Sequence, residues 1–113
     1  MSSRKWQQRV KDIIVAITEI QQFTQDIRFE EFQSNQLLVK AVLHNFIIIG
    51  EFTRNISSEL QILNSEIPWR LMGGMRNVVA HEYFQVDARR IWETSIDDLP
   101  TIIEPLRNLL NQP

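Results

Sequence analysis

From the start of the chain, apolar residues recur at spacings of three and four: Trp6, Val10, Ile13, Ile14, Ile17 and Ile20. A helix with 3.6 residues per turn gathers such positions on one stripe, which predicts an amphipathic helix over about residues 4–25. A second helix is expected from Ser34, as N-cap, to about Asn55. Its middle, Val42 to Ile49, is apolar on most sides, so it must be covered on more than one face, either by its own bundle alone or by its bundle together with a second subunit. In that setting His44 reads as a hydrogen-bonded interior residue, and Gly50, unfavourable inside a helix, signals a close backbone approach.

Downstream, Ser57 or Ser58 opens a short, weak helical turn ending near Asn64. Pro68 fits the first turn of a third main helix, where its missing N–H would have no partner anyway. That helix carries Trp69, Leu71, Met72, Met75, Val78 and Val79 towards His81, and Gly73-Gly74 within it either strains it or admits a neighbour. Asp87 is a good N-cap for a segment through Ile91 and Trp92, ending near Ile96. Asp97-Asp98-Leu99-Pro100 reads as the start of a last helix with acids at the positive end of its dipole, and Pro105 should bend it. Strand-like alternation is absent over any useful length. The chain is therefore expected to be all-α, one domain over 1–113, built as a bundle of four or five helices.

Composition narrows the field. The 113 residues are 43% hydrophobic and 23% charged, ordinary for a globular domain able to bury a core. No cysteine is present, which removes disulfide and thiolate chemistry and makes a reducing cytoplasm the expected setting. The polar, basic N-terminus does not look like a signal peptide, and the apolar run Phe46–Ile49 is far too short to cross a membrane. His44 and His81 form no metal-ligand pattern, so neither metal nor cofactor is expected. A net charge of −2 argues against a general polyanion-binding surface. Local basic groups remain: Arg4, Lys5, Arg9 and Lys11 at the start, and Arg70, Arg76, Arg89 and Arg90 around one polar motif.

That motif is Met75-Arg76-Asn77-Val78-Val79-Ala80-His81-Glu82-Tyr83-Phe84. It holds the side chains that phosphodiester cleavage without a metal requires. Histidine titrates near neutrality and passes protons. Arginine is a permanent fork-shaped cation suited to a phosphate or to its transition state. Asn77 can orient either group, and Tyr83 offers a hydroxyl. With RNA, the 2′-hydroxyl is the nucleophile: His81 moves the protons, Arg76 stabilises the phosphorane, and a 2′,3′-cyclic phosphate results. On the residues alone the structural reading is the default, with Arg76 and His81 as a salt bridge, cap or buried imidazole and Tyr83 as a core aromatic. Glu51 is either a cap, an arginine partner or an accessory to the site. Arg70, Arg89 and Arg90 are either solvated or candidate RNA contacts.

Five residues turn a regular helix by roughly 140° beyond one full turn, so Arg76 and His81 do not share a face of a straight helix. Either the helix ends or distorts near His81, or a second copy of the chain completes the pair across a two-fold axis.

Arg76-x4-His81-x-Tyr83 resembles the signature of HepT-like toxins, a branch of the HEPN ribonuclease superfamily. Ile67-Pro68-Trp69-Arg70, Gly74-Met75-Arg76-Asn77, Ala80-His81-x-Tyr83-Phe84, Ile91-Trp92 and Asp98-Leu99-Pro100 extend the likeness, and Ile48-Ile49-Gly50-Glu51 is similar to the family's second-helix pattern. Phe52 departs from that pattern, standing where a small residue is expected. The resemblance implies an all-helical homodimer or larger assembly that cleaves RNA without metal at an interface site, with Arg76, His81 and Asn77 as its catalytic residues. It also implies a partner, an MntA-like nucleotidyltransferase antitoxin, that silences the toxin by AMPylation of Tyr83. The alternative reading is a non-catalytic nucleotide- or RNA-binding subunit that partners a nucleotidyltransferase.

Overall fold

The structure is a computed structural model that describes residues 5–85 and 87–111; the side chains of residues 80–86 lie outside the described residues. Among the described residues there are helices and no strand, as the apolar periodicity requires. The seven α-helices among them are α1 (Trp6–Thr24), α2 (Phe29–Ser34), α3 (Gln36–Arg54), α4 (Ser58–Leu63), α5 (Trp69–Gln85), α6 (Ala88–Glu93) and α7 (Ile103–Leu110). The count exceeds the expected four or five because α2 fills what read as a connection and the short segments expected after Ser57 and Asp87 are helices of their own.

α1 begins and ends within two residues of its expected bounds. Val10, Ile13, Ile17 and Ile20 are fully buried, and Trp6 and Ile14 pack against the same core at its edge. After α1 the chain reverses at Asp26, whose φ of 60° is left-handed, a conformation its short polar side chain tolerates. The unforeseen α2 follows. Only Phe29 and Phe32 are apolar in its six residues, too few to establish a period. Its start is tied by the Arg28 N–H, which donates to Glu31 Oε1 at 2.8 Å. Phe32 is fully buried against Trp92, with ring centroids 5.2 Å apart, and Phe29 meets the same ring edge-on.

α3 is the central helix, lying against α1 on one side and α5 on the other. Its N-cap is Asn35, whose Oδ1 accepts from the Leu38 N–H at 3.1 Å, one residue after the expected Ser34, which ends α2. The buried face runs Val42, Leu43, Asn45, Phe46, Ile49, Gly50 and Thr53. His44 falls between these positions and is exposed, so the interior role expected for it is wrong. The mistake comes from judging it by its apolar neighbours rather than by its phase on the helix. By length and composition alone α3 is apolar enough to cross a bilayer, but 39% of that stretch is buried inside the bundle, where its apolar face forms core.

Packing against α5 turns on Gly50, as expected. A Cβ at Gly50 would lie 2.8 Å from the Arg76 backbone N and 3.0 Å from Arg76 Cβ, closer than atoms pack. Only glycine lets the two helices meet there. A Cβ at Gly73 would lie 3.8 Å from Thr53 Cγ2, and together the two approaches run α5 antiparallel to α3. Phe52 does not obstruct this seam: it lines a groove with Val15, Ala16 and Ile48 on the α1 side of α3. The connection is locked by α4, where Ser57 caps Leu60, and by Gln61, whose amide donates to the Thr53 and Ile56 carbonyls at 3.2 and 3.1 Å. Trp69 Nε1–H donates to the Asn64 carbonyl at 3.0 Å, and the Pro68 carbonyl accepts the first helical bond of α5, from Met72.

The C-terminal region departs most from expectation. Asp87 caps α6 as foreseen. The chain then widens into a π-helical turn, Thr94–Asp98, whose closing bond runs from the Leu99 N–H to the Thr94 carbonyl, and tightens into a 3₁₀ turn, Leu99–Thr101. Pro100 has no N–H to continue an α ladder, which forces the change of pitch. Asp97 and Asp98 therefore lie in the π turn, and the last α-helix starts later, at Ile103. Pro105 is then its third residue, where a missing N–H breaks nothing, so the expected bend has no cause there.

Candidate active site

α5 is α-helical through both Arg76 and His81 and continues to Gln85. The first of the two geometries open to the motif, a helix ending near His81, is therefore not adopted. Among the described side chains of α5, Trp69, Met72, Met75 and Val79 are buried, while Arg76 and Asn77 are exposed on its flank. The side chains of His81 and Tyr83, the expected proton carrier and modification site, lie outside the described residues. Their positions on the helix are nevertheless fixed by spacing. Asn77 and position 81 are four apart and share one stripe; Arg76 and position 83 are seven apart and share another.

Arg76 is rooted where Gly50 admits the backbone of α5. From there Nη1 reaches both carboxylate oxygens of Glu51, Oε1 at 3.2 Å and Oε2 at 3.4 Å. Glu51 follows Gly50 on α3, so one close approach supplies both the root of the arginine and its partner. Both side chains are about half exposed, 51% and 43%. A pair so open to water contributes only about 0–1 kcal/mol. Its consequence is orientation: the carboxylate holds the guanidinium at the outer edge of the seam.

One turn further along α3, Arg54 makes a second crossing. Its Nε donates to the Gly73 carbonyl at 3.3 Å and its Nη2 to Asn77 Oδ1 at 3.5 Å. Sequence reasoning missed Arg54. The signal available was its position three residues after Glu51 on the same helix, but its partners lie on another helix and are joined only by the antiparallel register.

The seam thus brings together Glu51, Arg76, Asn77 and Arg54. Among the described residues no side-chain hydrogen bond or ion pair joins the other candidate RNA contacts to it. Arg70 lines a groove with Pro68, Trp69 and Ile62 at the start of α5. Arg89 lies 4.0 Å over the Phe29 ring, on the α2–α6 corner. Arg90 is exposed at the first turn of α6, its N–H donating to Asp87 Oδ1. Arg4 lies outside the described residues. Among those described, no three His, Asp or Glu side chains gather as metal ligands. What the seam offers chemically is a cation and an amide, both exposed and both cross-braced, on the helix that carries the histidine.

The chain is similar to known proteins over most of its length. The family model described as "Ribonuclease HepT-like" matches residues 13–109. The chain is 41% identical over 93 residues to a Thermococcus cleftensis protein named "Probable ribonuclease HepT", covering 82% of this chain and 84% of that one. It is 35% identical over 86 residues to a "Putative RNase" of Caldanaerobacter subterraneus, covering 76% and 77% of the two chains. A "Putative RNase" of Methanocaldococcus jannaschii is 33% identical over 102 residues, covering 90% and 94%. No solved structure matches the chain significantly. The matched region contains all four helices from α2 to α5, and with them the seam and its motif: the chain belongs to the HepT-like ribonuclease family of the HEPN superfamily.

Proposed function

We propose that the chain is an RNA endonuclease that works without a metal ion, as the toxin of a HEPN–nucleotidyltransferase pair. The observation that carries this reading is Arg76, a permanent cation rooted at the Gly50 contact and held by Glu51 at an exposed seam, on the same unbroken helix as His81.

In the reaction, the RNA 2′-oxygen forms a bond to phosphorus as its proton passes to one imidazole. The bond from phosphorus to the 5′-oxygen breaks, and a second imidazole delivers a proton to that leaving oxygen. The products are a 2′,3′-cyclic phosphate and a free 5′-hydroxyl. Arg76 stabilises the additional negative charge of the phosphorane. Each chain has one motif histidine, and an unbroken α5 turns position 81 away from Arg76 by roughly 140°. Both facts favour a homodimer in which His81 and Arg76 of two copies flank one scissile phosphate.

The same helix accounts for silencing by an MntA-like nucleotidyltransferase. Position 83 lies on the Arg76 stripe, about 10 Å along the axis. AMP carried by Tyr83 would bring phosphate charge and bulk to the guanidinium that the RNA backbone requires.

The deciding experiment incubates the purified chain with single-stranded RNA in EDTA. Cleavage with cyclic-phosphate ends, lost in His81→Ala and Arg76→Ala while oligomeric state and fold persist, is the expected result. Intact RNA bound tightly by the wild type would instead favour the non-catalytic binding subunit. After incubation with the nucleotidyltransferase and ATP, intact mass should rise by AMP increments that Tyr83→Phe removes; increments that persist would refute the assignment of Tyr83.

A further inference from the structure

We infer that Arg54 is a positioning residue that fixes which end of the Asn77 amide faces the substrate; the inference rests on the ribonuclease reading above. A guanidinium has five N–H donors and no acceptor. The Asn77 atom turned towards Arg54 Nη2 at 3.5 Å must therefore be the oxygen, a choice made by chemistry rather than by shape. Once Oδ1 accepts from Arg54, the two N–H bonds of Nδ2 point away from it. Asn77 and position 81 are four residues apart on α5, so the amide is offered as a donor on the stripe of the helix that carries the histidine. A non-bridging phosphate oxygen is the anionic acceptor that such a donor fits. Turned the other way, the amide would present lone pairs to that anion and its N–H₂ to a cation.

The brace is anchored as well as charged. Arg54 Nε is simultaneously held by the Gly73 carbonyl at 3.3 Å, a backbone atom of α5 itself. A Cβ at Gly73 would lie 3.9 Å from Arg54 Cγ, so the stem of Arg54 lies directly against that turn of α5. The two bonds span one turn of the helix and need a planar fork with separated donors, which a lysine ammonium does not have. Arg54 thus differs from Arg76, whose partner is a carboxylate that an incoming phosphate can replace. The Arg54 acceptors are neutral and belong to the site.

The test compares wild type, Arg54→Ala, Arg54→Lys, Asn77→Ala and the double variant Arg54→Ala/Asn77→Ala. The probes are a short mixed-sequence single-stranded RNA and its uncleavable 2′-O-methyl counterpart. Arg54→Ala should lower kcat about tenfold with little change in KM, the size of one hydrogen bond to a charged group. Arg54→Lys should fail to restore it. In the Asn77→Ala background the same change should alter kcat by less than about twofold, since coupled residues are not additive. The side-chain amide NMR signal of Asn77 should move in both Arg54 variants while thermal midpoints stay put. Rescue by lysine would make Arg54 a simple counter-charge and overturn the inference. So would an undiminished penalty in the Asn77→Ala background, or an unmoved Asn77 signal. If the wild type cuts no RNA, the ribonuclease reading falls separately. The amide signal and the affinity for the 2′-O-methyl probe then decide Arg54, with weakening expected only when Asn77 is present.

Discussion

Two corners of this molecule each set an arginine against a neighbouring helix, and they do so to different ends. At the α2–α6 corner, Arg89 lies over Phe29, beside a cluster in which Phe32 is fully buried against Trp92. There the cation serves as packing: its charge meets a ring face, and the site seals the core. At the α3–α5 seam, Arg76 meets a half-exposed carboxylate, and Arg54 meets a carbonyl and an amide. The Arg76–Glu51 pair contributes little to stability, since an exposed ion pair is screened by water. These contacts hold donors in fixed directions at the surface. The two corners thus differ in what their arginines meet, a ring face at one and directional acceptors at the other.

The contrast is open to attack, beginning with its largest effect. Phe32→Ala should cost about 3–5 kcal/mol by emptying a fully buried ring site. Below its lowered melting temperature the seam chemistry should persist; chemical denaturation paired with cleavage at low temperature checks both. If cleavage fails in a variant that is still folded, the two corners are not independent. Gly50→Ala should cost about 1–3 kcal/mol, because the new methyl meets the Arg76 backbone at 2.8 Å rather than a movable side chain. Cleavage should also fall, since Arg76 and Glu51 would be pushed apart; retained activity would mean that the close approach has no part in placing the guanidinium. Arg89→Ala should cost about 0.5–1 kcal/mol and leave cleavage alone. Glu51→Gln should do the reverse, changing stability by less than about 1 kcal/mol while lowering kcat. An Arg89→Ala variant that loses activity at full stability would erase the distinction.

How far the sequence carries one depends on where the controlling contact lies. α1 is readable because its burial pattern is local: Val10, Ile13, Ile17 and Ile20 repeat at helical spacing. Gly50 is readable as well, because a glycine weakens a helix and its presence inside a strongly apolar helical run marks a place where a neighbour comes close. α2 is not, since it owes its existence to Trp92, far along the chain, rather than to its own period. The π and 3₁₀ turns are half visible. Pro100 announces a missing donor, but the widening before it involves the Ser95 hydroxyl, buried and donating to the Ile91 carbonyl at 2.8 Å. Misplacing that change of pitch also misjudges Pro105. At the site, Arg76 and Asn77 stand out as residue types in a motif, and Glu51 by its place beside Gly50. Arg54 does not, since its role exists only once two antiparallel helices set residue 54 opposite residues 73 and 77.

The missing side chain at residue 50 has one more effect. Because the α3 backbone abuts the Arg76 N and Cβ, the root of that long side chain is set beside Glu51 when the bundle forms, and the ion pair to that carboxylate narrows the torsions beyond it. A flexible arginine surrenders about 2 kcal/mol of rotamer entropy when it is pinned. Here part of that loss falls in folding, so an anion binding at the seam would meet a limb already aimed.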